Sequence, residues 1–286
     1  MRYIRAKNSQ HAVSLMAGAI NPVLLAGGTD VLVKMKLGGM TPDLLIDLKP
    51  IAGMREIRPE AGGIRVGAAV TGAEMGEYAA LQALWPGVVE AVELIGSTQV
   101  QGRATMVGNL CNGSPAADSV PALLAAAATV RIVGAKGERD LPVADVLEGP
   151  GKTTLNKSDI VTSIFLPARS ERAGDAYLRF IPRTEMDIAV AGAAVSLSLD
   201  EAGAVLAAKV ALGAVAPTAV LVPQAAKALI GSRLEAAALD ACARACRDAC
   251  APIDDRRGTV EFRTKLAGVL ATRAAKIAYT RAGGSL

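Results

Sequence analysis

Two glycine-rich segments hold the residues of this chain best suited to chemistry. One is Leu24-Leu25-Ala26-Gly27-Gly28-Thr29-Asp30, and the other runs from Arg103 to Asp118 as RATMVGNLCNGSPAAD. Both follow an apolar or helical stretch and are rich in Gly, Thr, Ser, Asn and Asp. Glycine lets a backbone turn sharply and approach a ligand closely, and successive N–H groups can then converge on phosphate oxygens. Two such loops in one chain point to a ligand with an extended diphosphate, held from two sides. A plain tight turn at Gly27-Gly28 is the structural alternative.

The other reactive residue types carry less. Cys242, Cys246 and Cys250 recur every fourth residue in DACARACRDAC. On a helix this sets the sulfurs along one stripe about 6 Å apart, whereas a tetrahedral metal or iron–sulfur site needs ligands from several directions. They read as small core residues, and Cys111 reads as a thiol packed in the second loop. No metal site and no disulfide is expected. His11 is the single histidine, which disfavours Ser-His-Asp, Cys-His and His-rich metal chemistry. Redox or group-transfer chemistry here would be carried by a cofactor. Two nucleotide motifs fail: GPGKTTL (149–155) ends like a P-loop, but the earlier glycine it needs is Val146. Gly27-Gly28 does not supply G-x-G-x-x-G either.

The elements that must position the loops follow from periodicity and breakers. Residues 11–19 read as a helix, Val23 to Ala26 as a buried strand entering the first loop, and residues 29–37 as a helix leaving it. Residues 44–48 and Ile64 to Ala68 read as strands, and 72–84 and 86–95 as helices. Beyond the second loop, 120–128 reads as a helix, 129–133 with GAKGERDLPV as a hairpin, and Asp159 to Pro167 as a strand. Long strands over 188–199 and 204–213 flank a turn at Asp200 to Gly203, and the chain reads as helical after Pro223. A boundary is expected near residue 170, which divides the chain into 1–170 and 171–286.

Composition limits the functions available. Of 286 residues 51% are hydrophobic but only 3% aromatic, so the core must be packed with small aliphatic groups, and a base-stacking platform is not expected. Basic (31) and acidic (27) residues are interspersed for a net +4, without the basic stripe that nucleic acid requires. No apolar run reaches the length of a membrane span. MRYIRAKNSQHAV has no apolar signal core, so a cytoplasmic location is expected.

Four ordered motifs carry a family resemblance: LLAGGTDVLVKMK, IGSTQVQGRATMVGNLCNGSPAAD, LEGPGKTTL and YLRFIPRTEMDIAVAGAA, with RRGTVEFRTKLAGVLATRA near the end. Together they resemble the FAD-binding medium subunit of molybdenum hydroxylases, the carbon monoxide dehydrogenase and xanthine dehydrogenase family, from residue 1 to about 280. The resemblance implies an α+β fold: an FAD domain of two α/β subdomains, about 1–55 and 56–170, then a C-terminal domain of three-stranded antiparallel sheet plus helical bundle. It implies non-covalent FAD, with Ala26, Gly27, Gly28, Thr29 and Asp30 on the diphosphate mainly through backbone N–H groups, and with Leu25 and Val31 also in the cofactor site. Thr105, Gly108 and Asn109 would close from the other side, and Ser114 and Asp118 would hold the ribityl or ribose hydroxyls. Leu166 would wall the ring, with Arg179, Asp187 and Ile188 near it. Structural alternatives are a helix cap for Asp118, an Arg179–Asp187 ion pair, and a core position for Ile188. Val107 stands where the family has Gly, so this position either has ordinary dihedrals or reshapes the loop. No Cys-rich insertion for an extra cluster occurs between residues 100 and 170.

The function so implied is electron transfer. An iron–sulfur small subunit would feed this FAD, a large subunit with a molybdenum cofactor would oxidise substrate, and NAD or a quinone would accept the electrons. The rivals are a self-contained flavin oxidoreductase with its own substrate pocket and a scaffold that has lost its flavin.

Overall fold

The computed structural model describes all 286 residues. β1 (Arg2–Arg5), α1 (Ser9–Gly18), β2 (Pro22–Leu25), α2 (Val31–Lys36) and β3 (Leu44–Asp47) form the first unit. Its strands make a parallel sheet in the order β1-β3-β2. Asn8 opens α1 by accepting a hydrogen bond from the His11 N–H, and Ala12, Val13 and Met16 supply the buried stripe. β3 is buried along its whole length, as a central parallel strand must be. The β2–α2 connection is the first glycine-rich loop.

The second unit contains β4 (Ile57–Glu60) and β5 (Gly63–Gly67), then α3 (Gly72–Gly76), α4 (Ala79–Leu84), α5 (Pro86–Glu93), α6 (Thr98–Gln101), α7 (Met106–Cys111) and α8 (Ser119–Ala125). Strands β6 (Thr129–Gly134), β7 (Gly137–Pro142), β8 (Leu147–Gly149), β9 (Lys152–Thr153) and β10 (Ile160–Pro167) complete it. Five of these strands form an antiparallel sheet in the order β4-β5-β10-β6-β7, and β8 pairs with β9 as a small hairpin. The helix expected over 72–84 is two helices. Thr71 and Glu74 form a reciprocal capping box that starts α3, and the chain leaves helical geometry at Tyr78 (φ −89°, ψ 93°), just past Gly76. Glycine is a poor helix former, and here it marks the break.

The third unit is an antiparallel sheet of β11 (Ala173–Phe180), β12 (Ala191–Leu199), β13 (Val205–Gly213) and β14 (Val220–Leu221), paired in chain order. The two-residue β14 extends the three-stranded sheet that the family resemblance implies. Helices α9 (Pro223–Leu229), α10 (Ala236–Asp248) and α11 (Val260–Arg281) cover one face. Strand β11 escaped the sequence reading because its middle is buried on both faces, so it shows no alternation. It also contains Gly174 and Asp175, poor strand formers. Gly174 has a packing reason: a Cβ there would overlap the carbonyl of Ala278 on α11. Ala267, Ala271, Ala274, Ala275 and Ala278 make the buried face of that helix, so it lies close on the sheet. Cys242 and Cys246 are fully buried on α10, as read from the sequence, while Cys250 is half-buried.

Two hydrophobic cores result, one under the first two sheets and one between the third sheet and its helices. A buried polar cluster joins them. Asp118, at the start of α8, accepts hydrogen bonds from the Tyr177 hydroxyl (2.9 Å) and from Arg179 (2.6 Å), both on β11. The Ala214 N–H donates to the Pro115 carbonyl beside it (2.8 Å).

Burial pushes the Asp118 carboxyl up to about 6, with Arg179 and Tyr177 offsetting only part of that. An unfolded aspartate titrates near 3.9, so the folded value is the higher one. The folded state then binds the extra proton between these values, and stability contributed by this group is present below pH ~4 and lost as pH rises through 6. The loss amounts to roughly 3 kcal/mol. Unfolding of the wild type and Asp118→Asn compared from pH 4 to pH 7 should show the wild type losing ground steadily. A difference that stays constant with pH refutes the assignment.

Candidate functional site

The two glycine-rich loops meet edge to edge. β2 delivers the first, and Gly28 turns the chain at φ +83°, where glycine alone is unstrained. Gly27 lies so close to the second loop that a Cβ would overlap the Arg103 carbonyl. The N–H groups of Gly27 through Val31 donate to no acceptor in the chain, and the ladder resumes only with Leu32 N–H to the Gly28 carbonyl (3.0 Å). A consecutive run of unpaired backbone donors is what an anionic ligand needs.

The second loop is built around Thr105, whose hydroxyl caps α7 by accepting from the Gly108 N–H (3.0 Å). Gly72 N–H donates to the Ala104 carbonyl (2.9 Å), fastening the loop to the start of α3. The Asn109 amide oxygen accepts from the Ser119 N–H (3.2 Å) and hydroxyl (2.7 Å), which leaves its Nδ2 unused. Val107 sits inside α7 with a buried side chain and is absent from the residues at positive φ. The first alternative therefore holds: the position has ordinary dihedrals, which any residue can adopt.

Between the loops lies a cavity of about 340 Å³. Met40, Ile95, Val107 and Val161 give it apolar walls, and Asp30, Lys34, Asn109 and Asn112 give it polar ones. Behind the first loop, Lys49 donates to the Ala26 carbonyl (3.3 Å) and to Asp47 (2.6 Å), which also accepts from the Tyr3 hydroxyl (2.6 Å). Burial pushes the Asp47 carboxyl up, but the hydrogen bonds from Lys49 and Tyr3 outweigh it and hold the group below the usual carboxylate range.

The structure brings Ala26, Gly27, Gly28, Thr29, Asp30, Val31, Thr105, Gly108 and Asn109 together on this cavity. Leu25 precedes them with its side chain buried. The remaining sequence candidates stand off its wall. Ser114 accepts from the Ala116 N–H in a local turn. Asp118 makes no cap hydrogen bond to α8, because its oxygens are taken by Tyr177 and Arg179. Leu166 is fully buried in β10, paired with Ile64. The Arg179–Asp187 pair does not form: Asp187 is bound instead by Arg183 (3.2 Å) and Arg257 (3.5 Å). Ile188 is 51% exposed, so it is not a core residue. The loop carrying both reaches the cavity's rim, where the Met186 N–H donates to Gly96, next to Ile95 (3.3 Å).

Several wall residues escaped the sequence reading. Cys111, expected packed, is exposed on the cavity side. Asn112 and Lys34 line the cavity and bond to each other (2.6 Å). Gly151, from the rejected P-loop lookalike, also lines it, with its N–H on the Gly113 carbonyl (2.8 Å). Asn112 lay inside the polar loop and Lys34 on a helix leaving one, and those positions were the available signals.

Comparison with known proteins identifies the family. Residues 1–169 match the model of the FAD binding domain in molybdopterin dehydrogenase, and residues 176–278 match the CO dehydrogenase flavoprotein C-terminal domain. The chain is 31% identical over 286 residues to the xanthine dehydrogenase FAD-binding subunit of Escherichia coli O157:H7, covering 99% of this chain and 98% of that one. It is 32% identical over 281 residues to the carbon monoxide dehydrogenase medium chain of Afipia carboxidovorans, covering 98% and 97%. A solved carbon monoxide dehydrogenase from Hydrogenophaga pseudoflava superposes with a TM-score of 0.94 at 32% identity, covering 98% of each chain. This chain belongs to the FAD-binding subunit family of molybdopterin dehydrogenases, is an oxidoreductase component, and has FAD as its cofactor. The unpaired N–H run and the side-chain-free approach at Gly27 fit a diphosphate. No helix is long and apolar enough to cross a membrane.

Gly27→Ala should force the two loops apart, at about 1–3 kcal/mol for an overpacked site. Flavin content per chain, read from absorbance after purification, should fall at least tenfold. Gly18→Ala, where a Cβ meets nothing within 4 Å, is the control that should keep its flavin. Full flavin in a folded Gly27→Ala protein would rule out this loop contact.

Proposed function

We propose that this chain is the electron-transfer flavoprotein of a molybdenum hydroxylase complex. An iron–sulfur small subunit would supply its electrons, a large subunit with a molybdenum cofactor would oxidise the substrate, and NAD or a quinone would take the electrons away. Bound FAD supplies redox chemistry in one- and two-electron steps. The chain's own part is to hold that group. The Gly27 to Val31 N–H groups would take diphosphate oxygens, and Thr105, Gly108 and the free Asn109 Nδ2 would close from the other loop. Ser114, Asp118 and Arg179 would act from behind, keeping the second loop fixed to the third sheet. On family motif, Asp187 and Ile188 are assigned to the ring side, with Asp187 held in place by Arg183 and Arg257. We place the division between the FAD-binding part and the C-terminal part near residue 170.

The observation that carries this reading is the make-up of the cavity wall. Its charged side chains are Asp30 and Lys34, and both are engaged by Asn112. The rest of the wall is backbone donors and uncharged side chains, a lining that suits holding a flavin rather than activating a substrate. The four free thiols suit a reducing compartment, and the cytoplasm is part of the same proposal.

A tagged chain purified from its own host should bring down one iron–sulfur and one molybdenum-containing partner. The isolated chain should be reduced by dithionite but should turn over no organic substrate by itself. Turnover by the isolated chain without partners would establish the self-contained alternative.

A further inference from the structure

Asp30 and Lys34 are the charged side chains on the wall of the FAD cavity. Lys34 Nζ donates to Asn112 Oδ1 at 2.6 Å, and Asn112 Nδ2 donates to Asp30 Oδ1 at 3.3 Å. Asp30 and Lys34 belong to the first loop and α2, and Asn112 ends α7. A polar bridge therefore joins the two loops at the cavity. Lys34 has no carboxylate within 4.0 Å. Of its three N–H donors, one is used by Asn112 and two are left.

A diphosphate diester carries two negative charges. The N–H run from Gly27 to Val31 offers dipoles to it but no net charge, and the Asp30 carboxylate beside it is repulsive. An ammonium on the same wall supplies the missing cation, and the bond to Asn112 fixes it without neutralising it. Lys34 projects from a helix none of whose residues is buried, so it holds no core together. A purely structural role leaves its position on the wall unexplained.

We propose that Lys34, steered by Asn112, is the cationic ligand of the FAD diphosphate in this chain. The inference rests on the reading that FAD occupies the cavity between the two loops. It makes the grip on flavin partly ionic, and so more sensitive to salt than backbone donors alone would make it.

The test uses the full chain, stripped of flavin and titrated with FAD and with riboflavin, which has the same ring and ribityl chain but no phosphate. Lys34→Met should weaken FAD binding about ten- to a hundredfold, as loss of a hydrogen bond to a charged group does, and leave riboflavin binding unchanged. Lys34→Arg should retain most of the affinity, and Asn112→Ala should lose part of it. Rising salt should weaken FAD binding to the wild type more steeply than to Lys34→Met. Unchanged FAD affinity in Lys34→Met, or equal losses for FAD and riboflavin, or identical salt dependence, would overturn the proposal. Gly27→Ala is titrated alongside. If that variant binds FAD normally the cavity reading itself fails, whereas a silent Lys34→Met beside a crippled Gly27→Ala removes only the lysine.

Discussion

The contact between Gly27 and the Arg103 carbonyl is the constraint on which this site depends. Neither loop makes a cavity alone. The first turns away from β2 and leaves a run of N–H groups without acceptors. The second needs its threonine cap and its anchor on α3 to keep a fixed edge. Only backbone against backbone brings them close enough to share a ligand, and only glycine at position 27 permits that. Unpaired donors have a cost in a folded protein, and here they are left where an anion can satisfy them.

The surroundings keep that contact in place by tight packing of small groups. With few aromatic residues, the chain builds its cores from Ala, Val, Leu and Ile. The alanine face of α11 lies directly on the third sheet, with Gly174 making room for the Ala278 carbonyl. That sheet in turn holds Asp118 through Tyr177 and Arg179, and so fixes the chain that continues from the second loop. Charge inside a core is tolerated because each group is paired. Buried Arg263 shows the same device, donating to the Val190 carbonyl and to Asp255.

Much of this was legible in the sequence, for physical reasons that differ from place to place. The loops were readable because glycine-rich turns between periodic segments have few other uses. The hairpin at Asp200 to Gly203 was readable because long apolar segments flanked a polar, glycine-ended turn. Strands β1 and β4 are short and largely exposed, so they carry no hydrophobic pattern to read. Partners across the fold were hidden altogether. Asp118 precedes a helix and looks like its cap, yet its oxygens go to residues about sixty positions later. Lys34 and Asn112 are far apart in sequence and look like ordinary surface residues until the loops meet. Local propensity shows where a chain turns, whereas pairing across the fold depends on the tertiary arrangement.

The wall of the cavity draws on residues from Leu24 to Val161, including Gly151 in the hairpin of β8 and β9. The clamp on Asp118 draws on β11 beyond it. A ribosome must therefore have released more than half of the polypeptide before a finished pocket can exist. No complete flavin site exists on the first half of the chain, so the cofactor cannot template the early steps of its folding.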